Sequence, residues 1–78
     1  MDIVGKWKAT DNSSWVFDTD GTVSQNKDNT GRYTATQLAI QFKGYGPVYI
    51  WNISISTDEK TMILSQNNKD TGYLLQRN

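Results

Sequence analysis

"IVGKWKATDNSSWVFDTDGT", residues 3–22, places two tryptophans and a phenylalanine on two short alternating runs and closes the second with an acidic, glycine-ended turn. Period-two spacing with aromatic and β-branched residues is the signature of a half-buried strand rather than a helix. Asp11-Asn12-Ser13 and Thr19-Asp20-Gly21 are turn chemistry, so the stretch reads as two linked hairpins.

The same period continues to the C-terminus. Turn residues divide the chain into about eight strands, near 3–10, 14–18, 22–26, 31–35, 37–43, 48–56, 61–66 and 73–77. The further separators are 26–30, Gly44-Tyr45-Gly46-Pro47, Thr57-Asp58-Glu59-Lys60 and 67–72. Ala35-Thr36 lacks the residues that favour a two-residue hairpin, so a bulge or a longer irregular bend is expected there. The fold class is all-β: one small antiparallel up-and-down meander spanning residues 1–78, closed as a mini-barrel or left as a strongly curved sheet.

Matching apolar faces across the turns predicts a register. Trp7 is set opposite Phe17, Ala9 opposite Trp15, Phe17 opposite Val23 and Val23 opposite Tyr33. Further on, Ile40 is set against Trp51, Phe42 against Tyr49, Ile53 against Leu64, Ile55 against Met62 and Leu64 against Leu75. The rings of Trp7, Trp15, Phe17, Tyr33, Phe42, Tyr49, Trp51 and Tyr73 then all point inward. Each has ~150–250 Å² to bury, and an eight-stranded barrel is just wide enough for side chains to fill. A filled interior is therefore expected, and an open chamber lined by several of these rings would reverse the functional ranking that follows from it.

A chain of 78 residues is one domain and buries only ~60% of its unfolded surface, so every large apolar side chain is needed. It has no cysteine and no histidine, which removes disulfides, thiolate metal sites and the common nucleophile–base pairs. The carboxylates Asp11, Asp18, Asp20, Asp28, Asp58, Glu59 and Asp70 fall in or beside turns, where they stay solvated. Asp18 to Thr22 matches the start of a calcium loop, but the twelfth position is Asn29 instead of a bidentate glutamate. No enzyme activity, cofactor or metal is expected.

Eight basic and eight acidic residues cancel. That removes the attraction on which nucleic-acid and anionic-membrane binders rely, although Lys6, Lys8, Arg32 and Lys43 keep single-stranded nucleic acid as a third alternative. No apolar run is long enough to span a membrane and no basic-then-apolar leader opens the chain, so a cytoplasmic location is expected, with a secreted mature domain also compatible.

Gly5-Lys6-Trp7 at the first strand, the antiparallel meander and the basic Arg77 after the last strand resemble the lipocalin and fatty-acid-binding (calycin) superfamily. The run Trp15-Val16-Phe17-Asp18-Thr19-Asp20-Gly21-Thr22 is similar to the W-x-F-x-x-D-G-T of small bacterial lipocalin-like domains. The resemblance implies structural closure by Gly5, Trp7 and Arg77, with the guanidinium stacked on the indole for ~0.5–2 kcal/mol. It also implies a barrel that carries small apolar ligands, although roomy members are nearly twice this length.

Two functional expectations follow. With a filled interior, the leading one is a binding module that meets a protein partner or its own copy through Tyr45, Val48, Ile50, Ile63 and Leu74 on the outer face of the sixth to eighth strands. The alternative is a small apolar ligand held at the barrel mouth by Trp15, Tyr33, Phe42, Tyr49 and Tyr73.

Overall fold

Eight strands follow one another in space as they do in sequence, and the last pairs with the first. The structure is a computed structural model that describes residues 2–67 and 72–78. The strands are β1 (Gly5–Ala9), β2 (Ser14–Phe17), β3 (Thr22–Gln25), β4 (Asn29–Tyr33), β5 (Gln37–Gln41), β6 (Val48–Ile55), β7 (Thr61–Ser65) and β8 (Gly72–Arg77), with a 3-10 turn at Phe42–Gly44. Every pairing is antiparallel and the sheet closes as a barrel, not as an open curved sheet. Closure leaves no unpaired sheet edge. No helix among the described residues is long and apolar enough to cross a membrane. Asp70 and most of the predicted turn 67–72 lie outside the described residues.

The predicted register holds at two hairpins. Phe17 faces Val23 across Thr19-Asp20-Gly21, where Gly21 takes φ 88°, and Ile53 and Ile55 face Leu64 and Met62. Elsewhere the partners shift by two residues, which leaves each side chain on its predicted face because the pleat repeats every two. Trp7 faces Trp15, Val23 faces Gly31, Leu38 faces Trp51, Ile40 faces Tyr49 and Leu64 faces Tyr73. Local turn conformations account for the shifts at the first, third and fifth turns. Asn12 takes φ 70° so the first turn sits one residue earlier, and Asn26 and Lys27 take φ 52° and 70°, shortening the third. The 3-10 turn after Gln41 lengthens the fifth.

Ala35-Thr36 is a correction to the sequence reading, since neither a bulge nor a longer bend forms. The two residues connect the strands directly: the Thr34 N–H donates to Gln37 O (2.7 Å), and the Thr34 hydroxyl oxygen accepts from the N–H groups of Thr36 (3.4 Å) and Gln37 (3.2 Å). A side-chain acceptor replaces the glycine or asparagine that the turn lacks.

Gly31 has a different role. A Cβ there would stand 1.7 Å from the Ala39 carbonyl oxygen, so β4 and β5 reach their pairing distance only with glycine at this position.

The core comprises Ile3, Trp7, Ala9, Trp15, Phe17, Val23, Leu38, Ile40, Ile53, Met62, Leu64 and Leu75. Trp7, Trp15 and Phe17 from the opening stretch are therefore core residues. Their polar atoms are satisfied: Trp7 Nε1 donates to Ile3 O (3.1 Å), and Trp15 Nε1 donates to the buried Ser13 hydroxyl (2.9 Å).

Candidate functional site

The two ends of the barrel differ. One end carries the N-terminal segment, the 18–21, 34–36 and 56–60 turns and the C-terminal end of β8. Arg77 closes this end. Its Nη1 donates to Val4 O (2.7 Å), its Nη2 to Asp2 O (2.7 Å) and its Nε to Glu59 O (2.9 Å), while its guanidinium carbon lies 4.2 Å from the Trp7 ring centroid. Gly5 permits the approach. Its φ is 134°, and a Cβ on it would sit 2.9 Å from Arg77 Nη1.

Beside this plug, Tyr33 lies across Phe17 at 5.1 Å and 80° and donates its hydroxyl to Asp18 O (2.7 Å). Loss of hydration pushes its phenol above the ordinary tyrosine value, and the charges of Asp2, Asp18 and Asp20 add to the effect. Asp20 is held below the ordinary carboxylate range by hydrogen bonds from the Thr22 hydroxyl (2.6 Å) and the Thr22 N–H (3.0 Å). The Asp18 and Asp20 oxygens thus serve the turn and its neighbours, and among the described residues no group of three or more carboxylates is arranged to hold a metal ion.

Among the described residues, the opposite end is not filled. Gln25, Asn29, Ile40, Phe42, Tyr49, Trp51 and Tyr73 line a cup of about 280 Å³. The expectation of an interior filled throughout is therefore corrected. Trp7, Trp15, Phe17, Met62, Leu64 and Leu75 are fully buried, but Phe42 and Tyr49 are 43% and 47% exposed and stand at the rim. The reason lies in the register. Partners shifted by two across the fifth turn carry Tyr49 opposite Ile40, at the start of β6, leaving Phe42 in the 3-10 turn beyond the end of β5.

Three of the five predicted ligand residues, Phe42, Tyr49 and Tyr73, come together in the cup. Trp15 is fully buried behind Tyr73, their rings 5.6 Å apart, and Tyr33 belongs to the opposite end. Sequence reasoning missed Gln25, Asn29, Ile40 and Trp51. Trp51 was already assigned an inward ring, and its packing against Tyr73 at 5.1 Å and 61° makes it a wall of the cup. Gln25 and Asn29 occupy inward register positions flanking a turn, and polarity concealed them.

The outer-face residues fall in two groups along the sheet. Val48 and Ile50, 57% and 56% exposed, sit on β6 beside Gln41 and Ala39 of β5. Ile63 and Leu74 pair with each other on β7 and β8, with Ser54 opposite Ile63. Asn52 and Ser54 separate the two groups along β6, and the exposed Tyr45 lies in the loop that leads into that strand. The basic residues are likewise dispersed: Arg32 donates to Asp20 O (3.1 Å), and Lys43 Nζ stands 5.4 Å from the Phe42 ring centroid.

No protein-family model matches the chain, and no curated protein or solved structure is significantly similar to it.

Proposed function

We propose that this chain is a lipocalin-like mini-barrel that binds a small, mainly apolar ligand in the cup at the end opposite Arg77. The observation that carries the reading is the lining itself: four aromatic side chains and Ile40 around about 280 Å³, with no lysine, arginine, aspartate or glutamate among the described residues that line it. Concave apolar sites with a few polar groups are where small molecules bind, and ~300 Å³ is the lower edge of their usual range. The size suits a single ring or a short chain rather than a long acyl tail. The Gly5, Trp7 and Arg77 arrangement at the other end supports the lipocalin-like assignment.

The test is titration of the protein with a panel of single-ring aromatic and short-chain compounds, read by tryptophan emission. Saturable changes at up to millimolar ligand, lost in Trp51→Leu, are expected. A flat response across the panel rejects the cup as a ligand site.

A second reading is favoured by the exposure of Val48 and Ile50 beside each other on β6. In it, the outer face of β6 to β8 meets a protein partner or a second copy. The double variant Val48→Lys, Ile50→Lys then dissociates any oligomer seen in sedimentation while leaving thermal unfolding nearly unchanged. A wild-type monomer at high concentration removes the self-association branch.

A further inference from the structure

The polar side of the cup is ordered in one direction. The backbone N–H of Lys43 can only donate, and it donates to Asn29 Oδ1 (3.0 Å). That contact fixes which way the Asn29 amide faces, because its oxygen must meet the Lys43 N–H. Asn29 Nδ2 is then the group that faces Gln25, and it donates to Gln25 Oε1 (3.3 Å). The chain of obligation ends at Gln25. Its oxygen is engaged, whereas its Nε2 hydrogens meet no acceptor among the described residues, and Gln25 lines the cup. The cup thus presents a neutral donor beside aromatic walls.

From this geometry we infer that the cup selects an uncharged ligand with a hydrogen-bond acceptor, such as a carbonyl oxygen, on a flat apolar body, and that Gln25 Nε2 binds the acceptor. The inference rests on the ligand-binding reading above. A pure hydrocarbon leaves the Gln25 amide stripped of water without a partner. A carboxylate loses hydration with no cation among the described lining residues to compensate it, since the Lys43 ammonium stands over Phe42, 5.4 Å from its centroid, and does not line the cup. A ketone, ester or amide avoids both penalties. The aromatic walls suit the ring: Trp51 and Tyr73 meet edge to face, so the pair offers a flat ring both a π-face and an edge.

The experiment is a titration of the full chain, followed by proton–nitrogen NMR, with acetophenone, ethylbenzene and benzoate. The three share one ring and differ in the group it carries. Acetophenone is expected to bind about 3- to 10-fold more tightly than either of the others, the factor that corresponds to one net hydrogen bond. Gln25→Met, which keeps the length of the side chain but removes the donors, is expected to bring acetophenone down to the affinity of ethylbenzene. Gln25→Glu, which presents only acceptors, is expected to do the same and guards against a folding defect in the first variant. Equal affinities for acetophenone and ethylbenzene, tightest binding by benzoate, or a ketone preference that survives both substitutions overturns the inference while the cup remains a ligand site. Absence of binding by all three rejects the site and the inference together.

Discussion

The Arg77 guanidinium carbon lies 4.2 Å from the centre of the Trp7 ring, and the same side chain caps carbonyls of Asp2, Val4 and Glu59. One residue from the last strand thus ties together the N-terminal segment, the first strand and the turn before β7. Arg77→Ala is expected to destabilise the protein by about 2–4 kcal/mol, from the lost cation–π contact and from two half-buried carbonyls and one exposed carbonyl left without a charged donor. Arg77→Lys recovers only part of that, because an ammonium cannot present the planar fork. Urea midpoints of the three proteins measure the effect, and a full rescue by lysine contradicts it.

Gly31→Ala is expected to be far more damaging than its one added methyl suggests. The Cβ would meet the Ala39 carbonyl at 1.7 Å, which forces β4 and β5 apart instead of displacing a side chain. A loss of more than about 3 kcal/mol, or failure to fold, is expected, against about 0.5 kcal/mol or less for an ordinary surface substitution. Retention of the wild-type far-ultraviolet spectrum and unfolding midpoint contradicts this reading.

The difference between the two ends has its own energetic signature. Leu64 and Leu75 are fully buried, so each change to alanine is expected to cost about 2–5 kcal/mol in chemical denaturation. Tyr49 is 47% exposed at the rim, and Tyr49→Ala is expected to cost about 1 kcal/mol or less. Equal losses at all three positions contradict a cup.

Acid and alkali act on opposite sides of the same turn. Asp20 is held below the ordinary carboxylate range, so its contribution is present above pH ~4 and is lost as pH falls through its folded-state value. Asp58 behaves alike, held down by the Ser56 hydroxyl and the Lys60 N–H. Tyr33 is shifted upward, so its contribution is complete below pH ~10 and is lost as pH rises through its folded-state value. Both carboxylates are fully exposed, so the effects are small. Asp20→Asn is expected to flatten the acid limb of the unfolding-midpoint profile, and Tyr33→Phe the alkaline limb. The reverse assignment contradicts the account.

The faces of the strands were legible because a barrel's inward side repeats every second residue, and Trp7, Phe17, Leu64 and Leu75 follow that period. Register was legible only where glycine named the turn, as at Gly21, or where the turn was long and charged, as at 57–60. It was hidden where Asn12, Asn26 and Lys27 adopt left-handed backbone, a choice that side-chain type only weakly signals. The cup follows from those hidden shifts. Sliding Tyr49 from Phe42 to Ile40 turns an expected interior pair into a rim, and no pattern of apolar residues distinguishes the two. The part played by Gln25 and Asn29 was equally invisible, since polar residues flanking a turn read as solvated until closure brings them together.

The central claim is a barrel packed at the Arg77 end and open to a ligand at the other, and its three indole N–H groups report on it at three places. Trp7 is bonded to Ile3 O beneath Arg77, Trp15 to Ser13 behind Tyr73, and Trp51 lines the cup. In a proton–nitrogen NMR titration with a small aromatic ligand, the Trp51 indole resonance is predicted to move saturably, Trp15 slightly and Trp7 not at all. Equal movement of all three, or a stationary Trp51, contradicts the account.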